Sequence, residues 1–387
     1  MLPFVAAAVC PSAVLGVDVD AAVLRVDYEE LLPISRLDLK PEDLGFSGAM
    51  LATQDNQTTG QFLGHEFTVE TIATSPEESA AALDGLLGQG IRIIVLLAGD
   101  ELTLELAERA GEDALVLNAL AQGNNLRDED CRGNLLHVAP SRAMRTDALA
   151  QYLMWKKWDK WVLIQGSHPE DFALADSYRN SARKFGAEIV DQRGFEDTGG
   201  ARVSDTGHVM VQRQMPLFTQ DMPDHDVVVA ADEADVFAVH LPYHTWGPDL
   251  IVGSAGLTPA SWMPAHESWG ATQFQTRFEE LSGRYAREED YQAWLALRVV
   301  GEAVTRTGQA DPATILEYAL GDEFELAAFK GQPVTFRDWN GQLRQPILLT
   351  DGRINVSVSP QEGYLHQVSP LDTLGLDEPE SACTVFD

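Results

Sequence analysis

Apolar and polar positions along this chain follow two periods that trade places repeatedly. The pattern is most regular over residues 134–190. Leu135, Leu136 and Val138 form a short apolar run that stops at Pro140, which cannot donate to a ladder. Ser141 follows as an N-cap candidate, and Met144, Ala148, Tyr152 and Trp155 then recur at helical spacing. Residues 161–164 read as a buried strand, Gly166 as a turn, and the next helix stops at Phe185-Gly186, where glycine suits a left-handed C′ position. Strands and helices alternating in this way predict a parallel sheet covered on both faces.

The same alternation extends on either side. Strands are predicted over 22–28, 65–73 and 91–100, and a strand with its loop over 114–125, with helices over 44–54, from Ser75 to Gly88, and after Asp100. Ser75-Pro76-Glu77-Glu78 reads as a capping box with proline at N1, and 55–60 (DNQTTG) as a turn. Further strands are predicted over 226–233 and 250–262, the second with a glycine-rich exit. Residues 22–140 and 142–262 therefore read as two α/β units of similar build. Helices over 272–285, 291–306 and 312–320 follow, and the tail carries two hairpin signals, Asn340-Gly341 and Asp351-Gly352.

Ligands of such sheets sit at the carboxyl ends of strands, which directs attention to 140–142 and 166–171. Arg142 and Arg145 lie in the first turn of the helix after Ser141. Cations there oppose the helix dipole, while the helix N-terminus itself attracts anions. Two readings account for the pair: an anionic ligand, or nearby carboxylates.

Composition narrows the choice of partner. The 387 residues suffice for two domains, and 27 Lys+Arg against 60 Asp+Glu give a formal net charge of −33. Phosphate binding needs a basic face, so nucleic acid is excluded as a partner. Residues 1–16 are apolar and uncharged, too short to span a bilayer, and read as the apolar region of an export signal; a buried first strand is the other reading. Removing that segment leaves Cys131 and Cys383, a disulfide pair in an exported chain or else two buried thiols.

Catalytic motifs are missing. The sequence holds no Walker loop, no GxGxxG after a strand, no GxSxG and no HExxH. His240 and His244 have i,i+4 spacing, but Pro242 stands between them and argues against a metal site. Glu288-Glu289-Asp290 reads as a solvated helix start. Two α/β lobes without catalytic machinery suggest a binding cleft rather than an enzyme.

The two-lobe pattern, the signal-like start and the strand–Pro-Ser–helix crossover resemble type I periplasmic solute-binding proteins of ABC importers, the branched-chain amino-acid-binding class. Longer segments, PISRLDLKPEDLGFSGAMLATQDNQTTGQFLG, CRGNLLHVAPSRAMRTDALAQYL, SWGATQFQTRF, DYQAWLALRVVGEAVTR, FRDWNGQLRQPILL and TLGLDEPESAC, look like the subfamily associated with PQQ-dependent alcohol dehydrogenases. The resemblance implies an α/β Venus flytrap, each lobe a mainly parallel sheet flanked by helices. Residues 20–140 with 263–332 would form lobe I, and 141–262 with 333–387 lobe II. It further implies a periplasmic monomer that takes up a small ligand and docks on an inner-membrane ABC permease. It implies no resident cofactor, no metal, and pyrroloquinoline quinone (PQQ), a planar tricarboxylic quinone, as the transported ligand. An alcohol-derived acid, an aromatic metabolite or a sensory role beside the dehydrogenase are the alternatives. Cleft residues carried over from the class are Tyr28, Gly99, Asp100, Asn118 and Ala119, then Ser141, Arg142 and His168, and in the second unit Asp232, Glu233, Gly256 and Trp262. Arg145 joins them from the helix start.

Overall fold

The structure is a computed structural model, and it describes residues 16–29, 33, 35, 38–197 and 205–386, with backbone alone over 205–210. The expected export signal, apart from Gly16, lies outside the described residues.

The chain opens with β1 (Asp18–Val26), α1 (Phe46–Leu63), β2 (Glu66–Thr74), α2 (Ser79–Gly88), β3 (Ile93–Leu97), α3 (Asp100–Ala110), β4 (Leu115–Asn118) and β5 (Leu135–His137). The five strands pair in parallel in the order β2-β1-β3-β4-β5. Their side chains alternate between two apolar cores. Val23, Val95 and Leu117 pack with α1 and later helices on one face, whereas Leu24, Leu96 and Val116 pack with α2 and α3 on the other. This is the two-faced burial that the unbroken apolar run of β3 requires.

The second unit follows with α4 (Arg142–Trp155), β6 (Lys160–Gln165), α5 (Pro169–Phe185), β7 (Glu188–Gly194), α6 (Asp205–Phe218), β8 (Val227–Ala231), α7 (Leu241–His244), β9 (Ile251–Gly253) and β10 (Thr258–Ala260). Here β7-β6-β8-β9 form a parallel sheet. The remainder is α8 (Ala271–Ser282), α9 (Glu288–Thr307), α10 (Pro312–Leu320) and the short strands β11 (Thr335–Phe336), β12 (Leu343–Arg344), β13 (Ile347–Thr350) and β14 (Asn355–Ser359). Both predicted hairpins form, β11–β12 and β13–β14, with Gly341 and Gly352 at φ 65° and 86° in the turns.

The cores divide the molecule into two lobes. Helices α8, α9 and α10 pack on the first sheet, together with Trp262, Leu326, Val334, Phe336 and Leu343. Val334, Phe336 and Leu343 thus join the core of the first lobe, although the sequence places 333 onward in the second. Ile347, Leu349 and Leu374 pack with α4, α5 and the second sheet. The chain crosses between lobes near Pro140, returns near Ser261, and crosses again near Gln345.

Two local expectations are corrected. Residues 55–60 are not a turn but the second half of α1. Tertiary packing overrides the weak propensity of DNQTTG: Asn56 donates to the Leu297 carbonyl of α9 at 2.8 Å. A Cβ at Gly48 would lie 1.9 Å from the Asp290 carbonyl oxygen, and one at Gly301 2.0 Å from the Asn56 Oδ1, so α1 and α9 approach as closely as glycine allows. Nor does Ser75 cap α2. The helix starts at Ser79 after a turn in which the Glu78 N–H bonds the Ser75 carbonyl, and no side chain caps it.

Cys131 and Cys383 are bonded, their Cα atoms 5.7 Å apart, tying the tail to the loop before β5. The bridge closes a loop of 252 residues. By chain entropy alone such a closure is worth about 5 kcal/mol, and measured disulfides fall in the range of about 2–5 kcal/mol. Cys383→Ser is expected to lose stability in that range in urea unfolding. An unchanged midpoint would show that the tail is held by other contacts.

Candidate functional site

The carboxyl ends of the two sheets face a common space, and one string of hydrogen bonds runs through their exits. At the exit of β1 the Tyr28 hydroxyl accepts from the Gly99 N–H at 2.8 Å. Burial pushes the Tyr28 phenol up, which keeps it neutral. Asp100, the first residue of α3, accepts from the Gln122 and Gly123 N–H groups beyond β4 at 3.0 and 2.9 Å. A carboxylate in the first turn is favoured by the helix dipole. Its other oxygen takes Arg142 Nη1 at 2.7 Å.

Arg142 is where the lobes meet. Its Nε and Nη2 form a fork on Glu233, at 2.7 and 2.5 Å, beyond β8. The guanidinium therefore holds one carboxylate from each lobe. Burial opposes the charge, but Glu233 and Asp100 outweigh it and hold Arg142 above its ordinary value. Burial likewise pushes Asp100 up, and Arg142 brings it below the usual carboxylate range. The string continues through Asp171, fully buried, whose Oδ1 accepts from the N–H groups of Glu233 and Ala234 at 2.6 and 3.0 Å. At the β9 exit Ser254 accepts from the Asp232 N–H at 2.9 Å.

Arg145, one turn further along α4, makes a second link between the lobes. Its Nη2 lies 2.6 Å from Glu288 at the start of α9, and Glu288 also takes the N–H and hydroxyl of Ser261 at 2.7 and 2.6 Å. Burial pushes Glu288 up, but Arg145 and Ser261 bring it below the usual range. The solvated helix start read at 288–290 is thus corrected: Glu288 is an inter-lobe partner, and Asp290, fully buried, accepts from Gly45, Arg287 and Arg284. Both arginines are met by carboxylates, which is the second of the two readings open at the sequence level.

The remaining carried-over positions are held locally. Ser141 caps α4, accepting from the Met144 N–H at 3.1 Å. Asn118 accepts from Leu120 and Ala121 and donates to the Ala121 carbonyl, and with Ala119 it is fully buried. Asp232 accepts from the N–H groups of Val236, Phe237 and Ala238, and its burial raises its pKa. His168 caps α5, and its Nε2 lies 3.0 Å from Asp197, a contact that raises the imidazole pKa. Gly256 sits in the turn after β9 at φ 71°, where a Cβ would lie 2.0 Å from the Ile251 carbonyl oxygen. Trp262 is 2% exposed and stacks on Tyr291 at 4.6 Å. It also lines a cavity of about 530 Å³ with Pro41, Tyr285 and Glu288, beside the second inter-lobe link. Pro242, expected to break a helix, instead opens the short α7.

Glu288 and Lys330 are the site residues that sequence reasoning missed, whereas Asp171 lies in the 166–171 segment it pointed to. Lys330 is 2% exposed, donates to the carbonyls of Ser261 and Pro346, and is pushed down to about 7 by burial. A lysine with a folded pKa below its unfolded one costs stability while charged. The cost is full below about pH 7 and is lifted as pH rises towards the unfolded value. Lys330→Met is expected to flatten the stability–pH curve of the wild type between pH 7 and 10 by up to about 1.4 kcal/mol per pH unit. Parallel curves for the two proteins would contradict the burial argument.

Comparison with known proteins bears on the fold. Residues 44–210 match a family described as "Periplasmic binding protein". No curated protein matches in sequence. Among solved structures, a branched-chain amino acid ABC transporter periplasmic ligand-binding protein from Burkholderia xenovorans superposes with a TM-score of 0.70 at 15% identity, over 95% of this chain and 100% of that one. An ABC transporter substrate-binding protein from Desulfitobacterium hafniense in complex with Leu gives 0.66 at 18% identity, over 87% and 98%. A solute-binding protein from R. palustris in complex with benzoate gives 0.65 at 12% identity, over 94% and 99%. The fold is therefore that of the two-lobed periplasmic binding proteins, with parallel sheets flanked by helices.

Proposed function

We propose that this protein is the exported solute-binding component of an ABC importer: a periplasmic monomer, not an enzyme, that captures a small acid between its lobes and presents it to an inner-membrane permease. The observation that carries this reading is Arg142, which holds Asp100 of one lobe and Glu233 of the other where the strand exits converge. A ligand carboxylate fits such a guanidinium in place of Glu233, keeping the fork geometry. Arg145 offers the same exchange against Glu288. Three acids face two arginines here, so a multiply charged ligand has to displace carboxylates rather than add to them. Leucine and benzoate, bound by two proteins of this fold, each carry one carboxylate.

PQQ is the specific ligand we infer from the resemblance to the alcohol-dehydrogenase-associated subfamily. Its carboxylates suit Arg142 and Arg145, and Tyr28 and Tyr285, both exposed, offer rings for its planar face. Titration of the protein with PQQ, followed by the fluorescence of its eight tryptophans and by small-angle scattering, tests both levels. Saturable one-to-one quenching at micromolar or lower concentration, with contraction of the particle, is expected. Contraction with benzoate or another monocarboxylate but not with PQQ removes PQQ and keeps the binding role. No contraction with any small acid removes the role itself.

A further inference from the structure

A second cavity, of about 580 Å³, lies behind the junction of the lobes. Asn124 and Arg127 of the first lobe, Ser141 and Asp147 of α4, Lys184 of α5, and Asn340 of the β11–β12 hairpin contribute to its wall. Gly375, Leu376 and Glu380 of the disulfide-tethered tail close it on another side. None of the inter-lobe carboxylates Asp100, Glu233 and Glu288 lines it, so the cavity shares only the capping Ser141 with the site described above.

Two features of this wall lack a partner of the right kind. The first is Asn340, fully buried, with its Nδ2 unbonded. Its Oδ1 accepts from the Gln342 N–H at 3.2 Å, which fixes the amide orientation and leaves Nδ2 as an unspent donor. The second is Arg127, 2% exposed. It donates to Gln342 Oε1 and to the carbonyls of Gly123, Ala121 and Ala139, at 2.8 to 2.9 Å. None of these acceptors is charged, and burial pushes the guanidinium down to about 9, against the pull of the nearby but unbonded Asp100 carboxylate. A buried cation without a bonded counter-ion is costly.

The acids of the wall do not supply that counter-ion. Asp147 is taken by Lys184 at 2.7 Å, Ser181 at 2.6 Å and the Gly375 N–H at 2.8 Å. Asp128 accepts from the Ala382 N–H at 2.5 Å, and Glu380 from the Asp377 N–H at 3.3 Å. What the wall still offers is the unspent Asn340 donor and a guanidinium with no carboxylate bonded to it, the two groups an oxyanion takes.

We propose that this cavity is a second ligand site, taking a small molecule that bears a carboxylate or phosphate group, with the oxyanion directed to Asn340 and Arg127. The volume leaves room for a body beyond the oxyanion, within the usual span for small-molecule sites of about 300–1,000 Å³. The wall draws on both lobes and on the tail, so an occupant contacts all three. The proposal does not depend on the ligand of the cleft.

Inorganic phosphate and succinate are the probes, titrated into the full protein at fixed ionic strength with sodium chloride as control. At least one is expected to raise Tm saturably, by about 2 °C or more at a hundredfold excess over its Kd. Which of the two saturates names the oxyanion. Asn340→Asp keeps the acceptor for Gln342 and gives Arg127 a counter-charge. It is expected to abolish the rise while melting, without probe, no lower than the wild type. Arg142→Ala is expected to retain the rise. A wild-type crystal soaked in the saturating probe gives a readout independent of any variant, with density expected beside Asn340 Nδ2. No saturable rise with either probe, a rise that survives Asn340→Asp, one lost in Arg142→Ala, or density only in the cleft overturns the proposal.

Discussion

Asp372→Asn is expected to lower the unfolding free energy by about 3–5 kcal/mol, the range for breaking a buried ion pair from one side. Asp372 is 1% exposed and sits between two arginines. Arg337 Nε lies 2.9 Å from its Oδ1, and Arg344 Nε lies 2.8 and 3.0 Å from its two oxygens. Arg337 is itself 1% exposed and donates to the carbonyls of Leu371, Leu374 and Leu376. Asparagine keeps the shape and removes the negative charge bonded to both guanidiniums. They would then be buried together with only the more distant Asp377 acting on Arg337, both guanidiniums over the same Trp339, 5.5 and 5.0 Å from its centroid. Arg344→Met should cost less, because Asp372 and Arg337 remain as a neutral pair. Urea midpoints of the two variants decide the matter. Equal losses, or a loss under about 1 kcal/mol for Asp372→Asn, would mean that water or rearrangement relieves the charge. The expected loss also locates the tail: residues 371–376 are fixed to the β11–β12 hairpin by this triad, and the disulfide at Cys383 acts on a segment already anchored.

Such contacts mark the boundary of what the chain discloses in one dimension. The buried strands β3 and β6, the Ser141 cap, the glycine stop at Gly186 and both tail hairpins follow from residues within a few positions of each other, and they are legible for that reason. Helix α1 runs through DNQTTG because of α9, whose Leu297 carbonyl lies 241 positions from Asn56. No local pattern carries that information. The candidate site divides in the same way. Its location at strand exits was legible, as were Tyr28, Gly99, Asp100 and Arg142. The partner of Arg145 was not, since Glu288 lies 143 positions away in a cluster of acids that reads as surface. Residues carried over from the resemblance by their place at strand exits, such as Asn118 and Asp232, bind backbone N–H groups there, a use that the same side chains serve equally well.

Replacing Arg142 tests whether the inter-lobe pair belongs to ligand capture. In Arg142→Ala, Asp100 and Glu233 lose their common partner, and each carboxylate remains on its own lobe with backbone or solvent for company. Ligand affinity for the cleft is expected to fall at least about 100-fold, the loss of one forked charge-assisted contact of about 2.7 kcal/mol. Stability should fall less, because Asp100 keeps its bonds from Gln122 and Gly123, and both carboxylates are about a quarter exposed and able to rehydrate. The double variant Arg142→Ala/Glu233→Ala separates the two roles. Removing the orphaned acid is expected to restore part of the stability and none of the affinity. Restored affinity in the double variant would assign Arg142 to neutralising Glu233 rather than to holding the ligand. Affinity unchanged in Arg142→Ala would move the ligand along the cleft, to the cavity beside Trp262, Tyr285 and the Arg145–Glu288 link. The physical reason to expect the first outcome is the fork itself. A guanidinium already oriented by one carboxylate on each lobe is pre-organised for a ligand carboxylate, which takes the fork while Glu233, about a quarter exposed, turns to solvent.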